Sequence, residues 1–232
     1  MSKLPPWAET IAVFDTETTG VDLETARIVT ATVAVLDSAG DVQERHDWII
    51  DPGIEIPEPA AAVHGVTTEM ARASGVDPKV GIQQIVSTLN SLVGRGLAVV
   101  AYNAPYDFTI LDREVKRNGL DQCFDPTAIL DPLVIDKQVD RYRKGKRTLA
   151  ATIEQYGVSI GKAHDAGEDA IAAGRLMQQI ARKYAGDLPD SLDALHAAQI
   201  DWARAQTESF VSWMRANRDP NFAASGEWPT RS

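Results

Sequence analysis

Three β-branched runs stand in a row ahead of the first long helical pattern, and that order restricts the fold more than any other feature. Thr10 to Phe14, Arg27 to Leu36 (RIVTATVAVL) and Val42 to Ile50 read as strands, the last two joined by the turn Asp37 to Gly40. Consecutive strands on short connections predict an antiparallel meander. From Leu97 the pattern changes. LAVVAY is a continuous apolar run, as expected of a strand covered on both faces, and Ala104 to Asn118 follows as a helix closed by Gly119. A strand leading straight into a helix predicts a crossover unit.

The intervening Pro-rich connector predicts a short helix at its end, and Asp77 to Val93 reads as a helix whose stripe is carried by Val80, Gly81, Gln84 and Ser87. Thr127 to Leu130 is a short strand, after which Asp131 and Pro132 open a helix as N-cap and N1 residue. Thr148 to Tyr156 is another helix, stopped by Gly157, and Asp165 to Tyr184 is a long one. Beyond Gly186, apolar residues from Leu188 to Trp213 recur at three- and four-residue steps, predicting a further amphipathic helix. The expected division is residues 1–186 as one α/β domain and 187–232 as a C-terminal helical extension, disordered from about Asn217. A meander followed by βα units predicts a mixed five-stranded sheet, antiparallel meander plus parallel strands, flanked by helices, as in ribonuclease H-like folds.

The stretch FDTETTG (14–20) ends its strand on two acids one residue apart. Alternate residues share a face, so Asp15 and Glu17 crowd one side of the sheet and need either water or a cation between them. Asp107, in the first turn of the helix after LAVVAY, and Asp169, early in the long helix, reach the same sheet end. Singly, an early-helix acid is explained by the helix dipole. Together, the four are hard oxygen donors in a chain with one cysteine and four histidines, a set that fits Mg²⁺ or Mn²⁺ rather than zinc. Two such ions about 4 Å apart stabilise both oxygens of an in-line phosphoryl displacement.

DTETTG, then N-A-x-Y-D around Asn103 and Asp107, then H-x-A-x-x-D-A around His164 and Asp169, resemble the three signature segments of the DEDDh, DnaQ-like 3′-5′ exonucleases, over about residues 8–185. The resemblance implies that Asp15, Glu17 and Asp169 hold the ion that positions the attacking water, that Asp15 also reaches a second ion supported by Asp107, and that His164 is the general base. It further implies release of nucleoside 5′-monophosphates from single-stranded 3′ ends, with Thr18, Thr19, Gly20, His64 and Asn103 as substrate-binding residues. His164 and Asp169 lie five apart, about 140° around one helix, so facing one metal requires His164 in the loop before it. Aspartate at 165 argues against the tyrosine variant of the superfamily. Tyr102, Tyr106 and Gly167 depart from the residues common at those positions; Gly167 is expected to loosen the loop of His164.

The rest carries two readings each. His64 is a substrate contact or a loop cap; Gly20 serves a ligand or the turn itself; Asp131 is a cap before it is a ligand. RYRKGKR (141–147) is a phosphate-attracting loop or a solvated one. His46 and His196 are expected at the surface, Cys123 half-buried or buried. Trp202, Phe210, Trp213 and Met214 pack in cis or face a partner. With 33 acidic against 23 basic residues, net charge −10, the surface repels phosphate over a Debye length of about 8 Å, so nucleic acid requires local cations. The expected protein is cytoplasmic, without membrane attachment, acting on single-stranded nucleic acid with DNA favoured over RNA, in proofreading or repair, with a DNA polymerase as candidate partner. RNA 3′-end trimming and a non-catalytic polymerase-binding subunit are the rival readings.

Overall fold

The computed structural model describes residues 3–158 and 166–232. A short helix α1 (Pro6–Glu9) leads into β1 (Ile11–Thr18), β2 (Ile28–Leu36) and β3 (Val42–Ile49), which pair antiparallel as the meander predicts. Helices α2 (Glu58–His64), α3 (Thr68–Ser74) and α4 (Pro78–Gly94) precede β4 (Ala98–Val100). Then follow α5 (Pro105–Arg117), β5 (Ile129–Leu130), α6 (Pro132–Val139), α7 (Leu149–Tyr156), α8 (Ala166–Lys183) and α9 (Leu192–Asn217). The sheet order is β3-β2-β1-β4-β5, with β4 parallel to both β1 and β5.

Alternation along β1 divides the core. Ala12 and Phe14 pack towards α4 and α5 with Ile85, Leu89 and Phe108; Ile11 and Val13 pack towards α8 with Leu176, Met177 and Ile180. Two conclusions from periodicity need correction. β1 runs four residues past Phe14, because β2 pairs with it through Asp15↔Thr32 and Glu17↔Thr30. In α4 the buried stripe is Ile82, Ile85, Val86, Leu89 and Leu92 with Gly81, whereas Val80, Gln84 and Ser87 face solvent.

Glycine closes α8 onto the sheet: a Cβ on Gly174 would lie 2.4 Å from Val13 Cγ1 and 2.6 Å from Leu36 Cδ1. At the other end of the chain, α9 docks through buried Leu195, Gln199 and Ala203. Gln199 Nε2 donates to the Ile129 carbonyl at 3.1 Å and its Oε1 accepts from Asp131 N at 2.7 Å, satisfying the β5 edge. The tail after Asn217, expected to be disordered, instead folds back. Trp228 is 6% exposed against the α5 side of the core, and Arg231 N donates to Thr109 Oγ1 at 2.8 Å. His196, expected at the surface, is half-buried: its Nδ1 accepts from Ile129 N at 3.1 Å and its ring meets Trp228 at 4.9 Å. Cys123 is exposed rather than buried.

Candidate active site

The shortness of β4 creates the site. On β1 its three residues reach only Ile11, Ala12 and Val13, so β1 continues beyond its parallel neighbour with that edge open. The chain leaving β4 turns at Asn103, whose φ of 64° is the one positive value at a non-glycine residue among the described residues, and starts α5. Asp107, 4% exposed, then enters the gap: its Oδ1 accepts from Thr16 N at 3.0 Å and Thr16 Oγ1 at 2.7 Å. A carboxylate thus takes the backbone N–H that a longer β4 would have taken. Thr16, between the two strand acids, is a residue the sequence reading overlooked; only the alternation of β1 against α5 pointed to it.

Asp15 and Glu17 continue the Ile11–Val13 face, towards α8. They line, with Asp107 from α5 and Asp169 from α8, a cleft of about 470 Å³ that also includes Tyr102, Asn103, Tyr106 and Arg147. Burial is the first cause that drives the Asp15 carboxyl well above the usual range; Asp107, then Glu17 and Asp169, push it further by like charge. Burial likewise raises Asp107 to about 7, against the two Thr16 hydrogen bonds that favour its anion. Among the described residues no three acids are drawn together into a cage able to hold a metal ion. The donor chemistry fits hard divalent ions: hard carboxylate oxygens from three elements share one cleft, and the like charge of the others adds to burial in raising the proton affinity of Asp15, an effect that a divalent cation reverses.

The remaining candidates fall around the cleft. Thr18 Oγ1 donates to the Gly20 carbonyl at 2.7 Å and lies 2.6 Å from the Tyr106 hydroxyl, which itself donates to Gly20 O at 2.7 Å. Thr19 Oγ1 accepts from Arg27 N. These hydroxyls hold the turn after β1. Gly20 has open space where a Cβ would sit and no positive φ, so the turn itself does not require glycine there. His64 Nδ1 accepts from Val66 N at 3.2 Å, a loop-capping bond, while its buried Nε2 makes no hydrogen bond. Burial lowers its pKa, with the nearby Thr18 backbone acting in the opposite sense. Tyr102 donates to the Arg147 carbonyl at 2.7 Å and meets Thr152 Oγ1 at 3.0 Å, its pKa pushed up to about 12 chiefly by burial. Asp131 is a double cap, accepting from Asn103 N, Ala104 N and Leu133 N.

RYRKGKR divides in two. Arg143 and Arg147 are tied to the fully buried Asp136, which also accepts from Tyr156 at 2.9 Å, whereas Arg141, Lys144 and Lys146 face solvent. A Cβ at Gly167 would meet Arg45 Nη2, so glycine admits that guanidinium against α8, and the loop it was expected to loosen lies outside the described residues. His164 lies outside the described residues.

The family profile described as "Exonuclease" matches residues 12–177, which includes β1, α5 and most of α8. The chain belongs to the exonuclease family. The exonuclease is 30% identical over 155 residues to a DNA polymerase III subunit epsilon-like protein of Rhodobacter capsulatus, covering 65% of this chain and 20% of that protein. It is 28% identical to the DNA polymerase III subunit epsilon of Treponema pallidum, covering 68% and 69%. These relatives place it with the DnaQ-like members. Among solved structures, exonuclease I from Methylocaldum szegediense superposes with a TM-score of 0.64 at 18% identity, over 87% of this chain and 44% of that one. Escherichia coli exonuclease I in complex with a dA16 oligonucleotide gives 0.62 at 20%, over 76% and 42%. The fold is thus ribonuclease H-like. The exonuclease spans about a fifth of the R. capsulatus relative and under half of these exonuclease I chains.

Proposed function

We propose that the chain is a divalent-metal-dependent 3′-5′ exonuclease that hydrolyses the terminal phosphodiester of single-stranded DNA and releases nucleoside 5′-monophosphates. One observation carries the reading: acids from β1, α5 and α8 share a single cleft, where burial and then their like charge raise the proton affinity of Asp15. Asp15, Glu17, Asp107 and Asp169 would hold two Mg²⁺ or Mn²⁺ ions, which when bound polarise the phosphodiester and lower the pKa of water.

The chain's own residues do the rest. Thr16 fixes the rotamer of Asp107 through two hydrogen bonds, so this carboxylate needs little reorganisation on loading. Tyr106 pins Thr18 and Gly20, leaving the open side of Gly20 for the terminal nucleotide. Asn103, set in the left-handed conformation by the Asp131 cap, presents its side chain at the cleft. His64 stands beside this turn and would contact the 3′ end once its buried Nε2 is uncovered. His164 enters as the general base on its sequence position. A replicative DNA polymerase is the partner this reading predicts, since the relatives in R. capsulatus and T. pallidum bear the names of polymerase III subunits.

A 5′-labelled single-stranded oligonucleotide should shorten one nucleotide at a time with Mg²⁺ or Mn²⁺ and remain intact with EDTA. An uncut oligonucleotide under both metals would overturn the proposal and leave a polymerase-binding subunit. Matched DNA and RNA strands run side by side decide the polymer, and faster loss of RNA would make this a 3′-end trimming ribonuclease.

A further inference from the structure

A second, larger depression opens beside the acidic cleft and is unlike it in charge. It has a volume of about 570 Å³ and is bounded by α6, α9 and the returning tail. Asn103, Leu133 and Arg147 line both, so the two are continuous. One wall, α9 with the tail, lies beyond the residues that match the exonuclease family, so this depression is built by the chain's own C-terminal extension.

In a chain of net charge −10, its lining gathers Lys137, Arg141 and Arg231, none of which makes a side-chain hydrogen bond or ion pair among the described residues. The Arg231 Nε is moreover buried without a hydrogen-bond partner. The two acids there are engaged: Asp131 caps α6 and receives the Asn103 and Ala104 amides, and Glu227 accepts from Ser232. Phe210 and Trp213, one turn apart on α9, line the same groove and are each 50% exposed. Cations that no carboxylate bonds directly, beside exposed aromatic rings, are what a single-stranded polynucleotide recognises: its phosphates track the charges and its unpaired bases stack on the rings.

We infer that this groove holds the single DNA strand whose 3′ end lies in the acidic cleft, gripping nucleotides that the cleft itself does not reach. The inference rests on the exonuclease reading for its orientation but not for its chemistry. A single-stranded polyanion meets the groove's cations and its exposed rings together, whereas an apolar protein face would meet only the rings.

The test is fluorescence anisotropy of labelled oligothymidylates, about 4 and about 12 nucleotides long to span the site sizes of single-strand binders, with the full chain in EDTA so that nothing is cut. The longer strand should bind at least about tenfold more tightly. Phe210→Ala with Trp213→Ala should shrink that difference to about threefold or less. Lys137→Gln with Arg231→Gln should reduce the slope of log affinity against log salt by about 1.4, two contacts at roughly 0.7 each for single strands. Equal binding of the two lengths by the unaltered chain, or a length dependence and salt slope unchanged in both double variants, would overturn the inference. Mononucleotide release in Mg²⁺ together with length-independent binding removes the groove and keeps the nuclease. Length-dependent binding without any release removes the nuclease and keeps the groove.

Discussion

At the scale of single residues, the site is a place where the metal-free chain is held against its own electrostatics. Burial, and then the like charge of Asp107, Glu17 and Asp169, raises the pKa of Asp15, so its charge is unfavourable there. Replacing it by asparagine removes that repulsion and one metal ligand together. Asp15→Asn should therefore abolish mononucleotide release yet raise the melting temperature in EDTA by about 2–4 °C, the shift expected for roughly 1 kcal/mol in a chain of this size. A lower melting temperature in EDTA would show that the carboxylate is needed for the fold instead. The strand acids and Asp107 stand out in the sequence because charged residues interrupt apolar elements there. Thr16 does not stand out, since its partner Asp107 is 91 residues away and a threonine in a strand needs no special explanation.

At the scale of elements, the distance of α8 from the sheet places Asp169, and Gly174 sets that distance. Gly174→Ala introduces a methyl group 2.4 Å from Val13 Cγ1, so the helix must shift outward. An overpacking penalty of about 1–3 kcal/mol is expected, seen as a lower denaturant midpoint together with weaker Mn²⁺ binding by calorimetry. Retained metal affinity at a lowered midpoint would separate packing from the site. The junction of α9 with β5 has its own pH dependence. Burial lowers the pKa of His196 below its ordinary 6.5, with the Ile129 backbone and then Asp193 and Asp125 acting in the opposite sense. The unfolded chain takes up the proton first as pH falls, so stability present above pH 6.5 declines below it. His196→Gln should flatten the stability profile between about pH 7 and pH 5 relative to the unaltered chain in urea melts; an unchanged slope would place the titration elsewhere.

At the scale of the whole molecule, the C-terminal segment belongs to the same packed body as the residues that match the family. α9 completes the β5 edge, Trp228 fills core between α5 and α9, and the tail ends beside α5. Trp228→Ala should cost about 3–5 kcal/mol, read as a single cooperative transition at lower urea. Two separate transitions would mean that the extension folds apart from the sheet. No helix among the described residues is long and apolar enough to cross a membrane.

What the sequence determined by itself was whatever is written in local periodicity and local chemistry: five strands, the major helices, the cap at Asp131 and the stop at Gly157, and the order of the acids along the chain. Such features need only neighbours a few residues away. The tertiary structure alone decided what depends on partners far apart in sequence. The short pairing of β4 opens the edge that Asp107 fills, and Asp136 takes Arg143 and Arg147 out of a run of cations that reads as continuously exposed. The polar tail orders because one tryptophan finds a core, since the free energy of burying a single large side chain depends on a cavity that no local pattern encodes.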